Sequence, residues 1–232
     1  MSVLELLAIS IGISGILYIV FYLWYERFPR RPLTSDEVES YLQKIAAMRE
    51  GKGTGSDEII TRLRKLCAND DGQEFYMVNM IRKRKELPEA AKGKFENVTQ
   101  AQRAYLKAWA RASVQHGSHP IYRGQPYVQL FGTPKEELWD NVSLMRYRSR
   151  RDFLNILTDR TFARESALKG LMVEYTDVFP ASVDFVAGSP RLMIFLVLLV
   201  ISLMAAIFFM PELAARPSEI FTSGVTRPFD WR

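Results

Sequence analysis

The sequence predicts an α+β domain held between two membrane-spanning helices. Two observations set the frame. Apolar runs at Val3 to Tyr25 and Leu192 to Met210 are each long enough to cross a bilayer, with one acid, Glu5, in the first and no charge in the second. Between them, from Glu74 to Pro180, runs of alternating and helical hydrophobic spacing follow one another in the order β-α-β-β-α-β.

The first run reads as transmembrane helix 1 over residues 1–25, a retained signal-anchor. Its leading "MSVLE" lacks a base and no small-residue cleavage pattern follows. Trp24 and Tyr25 suit an interfacial aromatic belt, and Arg27, Arg30 and Arg31 suit the cytoplasmic side. Residues 192–210 read as transmembrane helix 2, reached through a linker at 182–191 and followed by a polar C-terminal tail at 211–232. Of the 31 basic residues, 28 lie between the spans against 22 acids. That distribution predicts an integral protein of the bacterial inner membrane, with its central domain in the cytoplasm and both termini on the opposite side. The net excess of about six charges suits a domain near anionic headgroups.

Residues 26–72 read as a basic juxtamembrane segment and helical spacer. "LTSDEVESYLQKIAAM" is a helix capped by Thr34 or Ser35, with Glu37 and Glu39 in its first turn and Leu42, Ile45 and Met48 as its stripe. "REGKGTGS" is a glycine-rich loop, and Ser56 caps a second helix that turns Ile59, Ile60, Leu63, Leu66 and Cys67 inward. The main domain occupies 73–181. "EFYMVNMIR" is a strand apolar on both sides, so it should be covered on both. Thr99 and Gln102 form a capping-box pattern for a helix carrying Ala101, Tyr105, Ala108, Trp109 and Ala112, closed by Gly117. "HPIYRGQPYVQLFG" is an edge strand broken by Gly124 and Pro126. "WDNVSLMRY" is a strand, Ser149 caps the next helix with Asp152 three residues on, and "TFARESALKG" continues or restarts it. "LMVEYTDVFP" is the last strand. This order is that of the ferredoxin-like split βαβ arrangement, with two helices on one face of a four-stranded antiparallel sheet. The other face is apolar and needs a partner, which makes a homodimer through the sheet the expectation.

Three stretches carry a resemblance. "FYMVNMIRKR", "WDNVSLMRYRSRRDFLNILTD" and "GLMVEYTDVFP" resemble the dimeric α/β-barrel superfamily. Within it they resemble small uncharacterised bacterial proteins, a domain-of-unknown-function family with a "MVNLLRF" first strand and a "WD…RYPSR..F..M..D" third strand and helix. The resemblance covers Glu74 to Pro180. It implies a dimer whose sheets form a barrel, with a pocket between each sheet and its helices. It also implies kinship with cofactor-free monooxygenases, isomerase-like enzymes and haem enzymes such as the chlorite dismutases. The proline of the "YPS" pattern is replaced by Arg148, and Arg151 adds a cation at a helix start, where the macrodipole disfavours one.

Two sets of side chains are candidates for function. Arg146, Arg148, Arg150 and Arg151 form a basic corner suited to docking on an acidic partner surface or anionic lipid. Asn79, Arg82, Tyr105, Trp109 and Tyr147, with Arg146, suit a pocket for a small aromatic or carboxylated molecule. In an enzyme of that kind Asn79, Arg146 and a histidine, His116 first, would be the catalytic candidates. His116 and His119 are the sole histidines, too few for a metal centre, and no cofactor motif occurs. The one cysteine, Cys67, excludes an intramolecular disulfide. The modest charge balance and the absence of an RNA-binding pattern argue against a dedicated nucleic-acid binder, so no nucleic acid is expected as partner and nucleic-acid binding stands as the second alternative function. The expectation is a non-catalytic, membrane-anchored accessory or scaffold subunit of a larger membrane complex. The alternative is a cofactor-free enzyme acting on a small hydrophobic molecule.

Overall fold

The computed structural model describes residues 3–26, 28–49, 56–91, 93–128, 130–131, 139–165, 168–182 and 190–208. The glycine loop, most of the 182–191 linker, the polar tail and the capping side chain expected of Ser56 lie outside them. The chain forms two compact units: Met1–Leu23 with Val186–Arg232, and Trp24–Phe185.

The first unit is a helix pair. α1 (Val3–Glu26) and α8 (Pro190–Phe208) are both long and apolar enough to span a membrane, with mean hydropathies of 2.0 over Leu7–Glu26 and 2.7 over Pro190–Phe208. They run antiparallel. Tyr18 meets Phe195 edge-on, while Ser202 near the other end donates to the Ser10 carbonyl at 3.2 Å. Between these points the Ser14 and Ser202 hydroxyls touch, and Ser14 also donates to the Leu198 carbonyl at 3.3 Å. Small hydroxyl residues let two apolar helices approach closely and add interhelical hydrogen bonds.

The second unit is mixed α+β. Its helices are α2 (Ser35–Arg49), α3 (Ser56–Cys67), α4 (Val98–Gln115), α5 (Arg150–Thr158), α6 (Arg160–Glu165) and α7 (Leu168–Met172). Its strands are β1 (Phe75–Lys83), β2 (His119–Gly124), β3 (Asn141–Tyr147) and β4 (Val173–Ala181). They form one antiparallel four-stranded sheet in the order β2-β3-β1-β4.

Register decides what each face carries. Phe75 lies opposite Tyr147 and Met77 opposite Met145. These four side chains meet Ala112 of α4, Ile156 of α5 and Phe162 of α6 in the main core. On the opposite face lie Val78, Met80, Val142 and Leu144, all half-buried, with the exposed Phe179 of β4. A second core joins α2 and α3 to α5 through Val38, Leu42, Ile45, Leu63, Cys67 and Leu154. The two leading helices therefore belong to the same compact unit as the sheet.

The caps show how local sequence sets the elements. Thr34 and Glu37 exchange backbone-to-side-chain hydrogen bonds, so Thr34 caps α2. α4 starts earlier than the Thr99–Gln102 pattern predicts: Asn97 accepts from the Gln100 amide at 2.9 Å, and the Gln100 side chain accepts from the Glu96 amide. Asn at this spacing is at least as good a cap as Thr, so it takes the position. At the other end of α4, Gly117 has φ +61°, and the Gly117 and Ser118 amides donate back to Val114 and Ser113. That is the Schellman turn that favours glycine. β2 ends at Gly124, where the sequence places a break, and it is an outer strand of the sheet.

One further relation positions the site. Ala181, the last residue of β4, is in register with Tyr76, which is in register with Arg146. The Arg146 guanidinium sits 3.8 Å from the ring centre of Tyr25. Tyr25 and Ala181 are thus both placed at the end of the sheet that carries Arg146.

Candidate functional site: a buried arginine cluster

The four candidate arginines leave β3 in quick succession. Arg146 is on the strand, on the face away from Tyr147, Arg148 is in the connection, and Arg150 and Arg151 open α5. Ser149 caps that helix. Its hydroxyl accepts from the Asp152 amide at 3.0 Å and donates to Asp152 Oδ2 at 2.8 Å.

Each arginine holds groups of this chain. Arg146 is 1% exposed. Its Nε donates to Glu74 at 2.5 Å, and its terminal nitrogens donate to the carbonyls of Gly117 at 3.0 Å and Tyr25 at 3.3 Å. Glu26 adds an ion pair at 3.6 Å. Arg148 grips Asp152 with two parallel bonds of 2.8 and 2.9 Å and donates to the Trp24 carbonyl at 2.6 Å. Such forked contacts use the planar guanidinium in the way lysine cannot. Arg150 bridges Asp70 and Asp71 at 3.1 and 2.9 Å. Arg151 grips Glu37 with two bonds of 2.7 Å and reaches the Pro32 carbonyl at 3.1 Å.

The electrostatics follow from this pairing. Burial alone would raise the Asp152 carboxyl, but hydrogen bonds from His116, Arg148 and Ser149 and the charge of Arg148 outweigh it and hold it well below the usual carboxylate range. Glu37 is held at about 2, chiefly by its hydrogen bond from Arg151 and by the Thr34 amide. His119 accepts or donates at 2.7 Å to the Tyr25 hydroxyl, and burial pushes its imidazole below the ordinary value. His116 is the C-cap of α4, with Nδ1 3.4 Å from Asp152.

The structure separates the predicted pocket residues. Tyr105, Trp109 and Tyr147 come together in the main core with Phe75, Phe153 and Phe162. Asn79 is on the same side of β1, in register with Ser143, and its amide donates to the Met77 carbonyl at 3.1 Å. Arg82 is in register with Tyr175 on the other face and donates to Glu174 at 3.3 Å. Arg146 shares that face with Arg82 but stands at the opposite end of the strands. An open cleft of about 520 Å³ lies beside the arginine cluster, lined by Lys65, Leu66, Glu74, Phe75, Arg150 and Pro180 among others.

Sequence reasoning did not reach Glu74, Asp152, Trp24 or Tyr25 as partners of the arginines. Asp152 had a local signal, since it follows Arg148 by one helical turn. The carbonyls of Trp24 and Tyr25 had none.

No family model matches the chain, and no curated protein matches it. It is similar to two solved structures. One is the crystal structure of a protein of unknown function from Rhodopseudomonas palustris, at 22% identity and a TM-score of 0.47, over 53% of this chain and 90% of that one. The other is the methylated form of that protein, at 23% identity and a TM-score of 0.49, over 57% of this chain and 93% of that one.

Proposed function

We propose that the protein is a membrane-anchored ferredoxin-like module that serves as a non-catalytic accessory or scaffold subunit of a larger membrane complex. The observation that carries this reading is where the polar chemistry has gone. All four arginines of the corner are engaged by acids and carbonyls of the chain itself. The helix side of the sheet is filled by aromatic side chains. The apolar sheet face is what remains for a partner, and a second copy of the chain is its occupant in this reading.

The ferredoxin-like assignment is supported by the succession β1, α4, β2, β3, α5 to α7, β4 and by the spatial order β2-β3-β1-β4. The two-span membrane reading is supported by the antiparallel packing of two apolar helices. The basic residues between the spans favour a cytoplasmic domain with both termini on the opposite side.

The test is gentle detergent extraction of the full chain through a C-terminal tag, read by native mass spectrometry. The expected result is a dimer, or a stoichiometric assembly with other membrane subunits. Recovery as a monomer carrying a small molecule would overturn it.

A further inference from the structure

The arginines expected to dock on an acidic surface are held by the chain itself, whereas three bases of α4 are not. Arg103, Lys107 and Arg111 recur every four residues on that helix and are exposed. Among the described residues none of the three has a hydrogen bond or ion pair. The exposed arginines of α3 differ: Arg62 pairs with Glu58 and Arg64 with Glu39. α4 has no such partner to draw on, because the sequence holds no acid between Glu96 and Glu136. α7, which packs on α4, has none either. Like charges four apart weaken a helix, so the stripe works against the element that carries it.

At about 100° per residue, the three bases and the exposed Leu106 and Val114 share an arc of about 140°. Tyr105, Trp109 and Ala112 take the other side, against the main core. The basic face therefore points away from the sheet, and it stays open in a dimer made through the opposite sheet face.

Its chemistry selects among polyanions. Leu106 and Val114 set apolar side chains beside the bases, the combination with which a helix lies in a headgroup layer. Both aromatic residues of α4, Tyr105 and Trp109, pack inward, so the face has no stacking platform for nucleic-acid bases. Gly117, which closes α4, shares the Arg146 guanidinium with Tyr25, one of the two aromatics suited to a membrane interface.

We propose that the outer face of α4 binds the anionic headgroups of a phospholipid surface through Arg103, Lys107 and Arg111, with Leu106 and Val114 entering the headgroup layer. The proposal rests on the two-span membrane reading above, which keeps a lipid surface within reach of the domain.

The test uses the full chain carrying Val114→Cys, labelled with an environment-sensitive fluorophore. It is reconstituted in nanodiscs of phosphatidylcholine, alone or mixed with phosphatidylglycerol, each doped with a lipid bearing a nitroxide headgroup as quencher. Cys67 is buried, and the chain without Val114→Cys gives the background. The expected result is strong quenching in the anionic discs only. Arg103→Gln, Lys107→Gln and Arg111→Gln together should abolish it: at about fivefold per base, the ratio of docked to free helix falls about a hundredfold. Quenching that is equal in the two lipids, or that survives the triple substitution, overturns the proposal and leaves the two-span reading standing. A larger response to added single-stranded oligonucleotide or polyglutamate than to anionic lipid assigns the face to another polyanion and overturns it too. A chain that carbonate strips from native membranes overturns the two-span reading as well.

Discussion

Asp152→Ala is the sharpest perturbation of the arginine cluster. Asp152 is fully buried, and its carboxylate takes two bonds from Arg148 and one from Ser149. Removing it leaves the Arg148 guanidinium, itself 8% exposed, without a counter-charge. Breaking a buried pair from one side costs about 3–5 kcal/mol. Domains have about 5–15 kcal/mol in total. At roughly 2–4 °C per kcal/mol for a protein of this size, the midpoint falls by about 6–20 °C. The assay is thermal unfolding of the full chain in detergent, followed by tryptophan fluorescence. The double variant Arg148→Met with Asp152→Leu should recover at least half of the loss, because apolar replacement of both partners removes the stranded charge. The pair also predicts a pH dependence. The folded carboxyl is held below its unfolded value of about 4. Its contribution is therefore complete above that pH and drains away as the pH falls through the folded value. A loss under about 1 kcal/mol for Asp152→Ala would refute the claim that this pair is buried and structurally required.

Other outcomes follow from the same contacts. Arg146→Lys keeps the charge but loses the forked reach to Gly117 and Tyr25, so amide exchange at residues 24–26 should quicken by about tenfold, or ~1.4 kcal/mol of local opening. Gly117→Ala should cost about 1–2 kcal/mol in thermal melts, because φ is +61° and a Cβ would lie 3.0 Å from Arg148 Cδ. Burial and the charge of Asp70 push the Cys67 thiol up to about 11, with Arg150 opposing. Maleimide labelling of native Cys67 at neutral pH should therefore be about a hundredfold slower than in denaturant, by mass spectrometry.

The parts of this fold written in neighbouring residues were legible. Alternation marks β1 and β3, and the Ser149–Asp152 spacing marks the start of α5. The end of the last helix of the α+β unit was less so. Leu171 and Met172 read as the start of a strand, but they close α7, where Leu168 and Met172 are buried and α7 packs on α4. Tertiary burial overrides local preference there. The site was harder still. Arg146 takes partners 72, 29 and 121 residues away, and nothing in a local window pairs them. The pocket set, by contrast, could have been divided from the sequence. Asn79 and Arg82 are three apart on one strand, which turns them to opposite faces.

Tyr25 and Ala181 lie at one end of the sheet of the α+β unit, with Arg146, stacked on Tyr25, two strands from Ala181. Two strand spacings are about 10 Å. Compact units whose entering and leaving segments lie close together tolerate insertion into another chain. In genetic terms the α+β unit, Trp24–Phe185, is a cassette. The cassette is the portable part, and it carries the arginines that hold its own first junction with it.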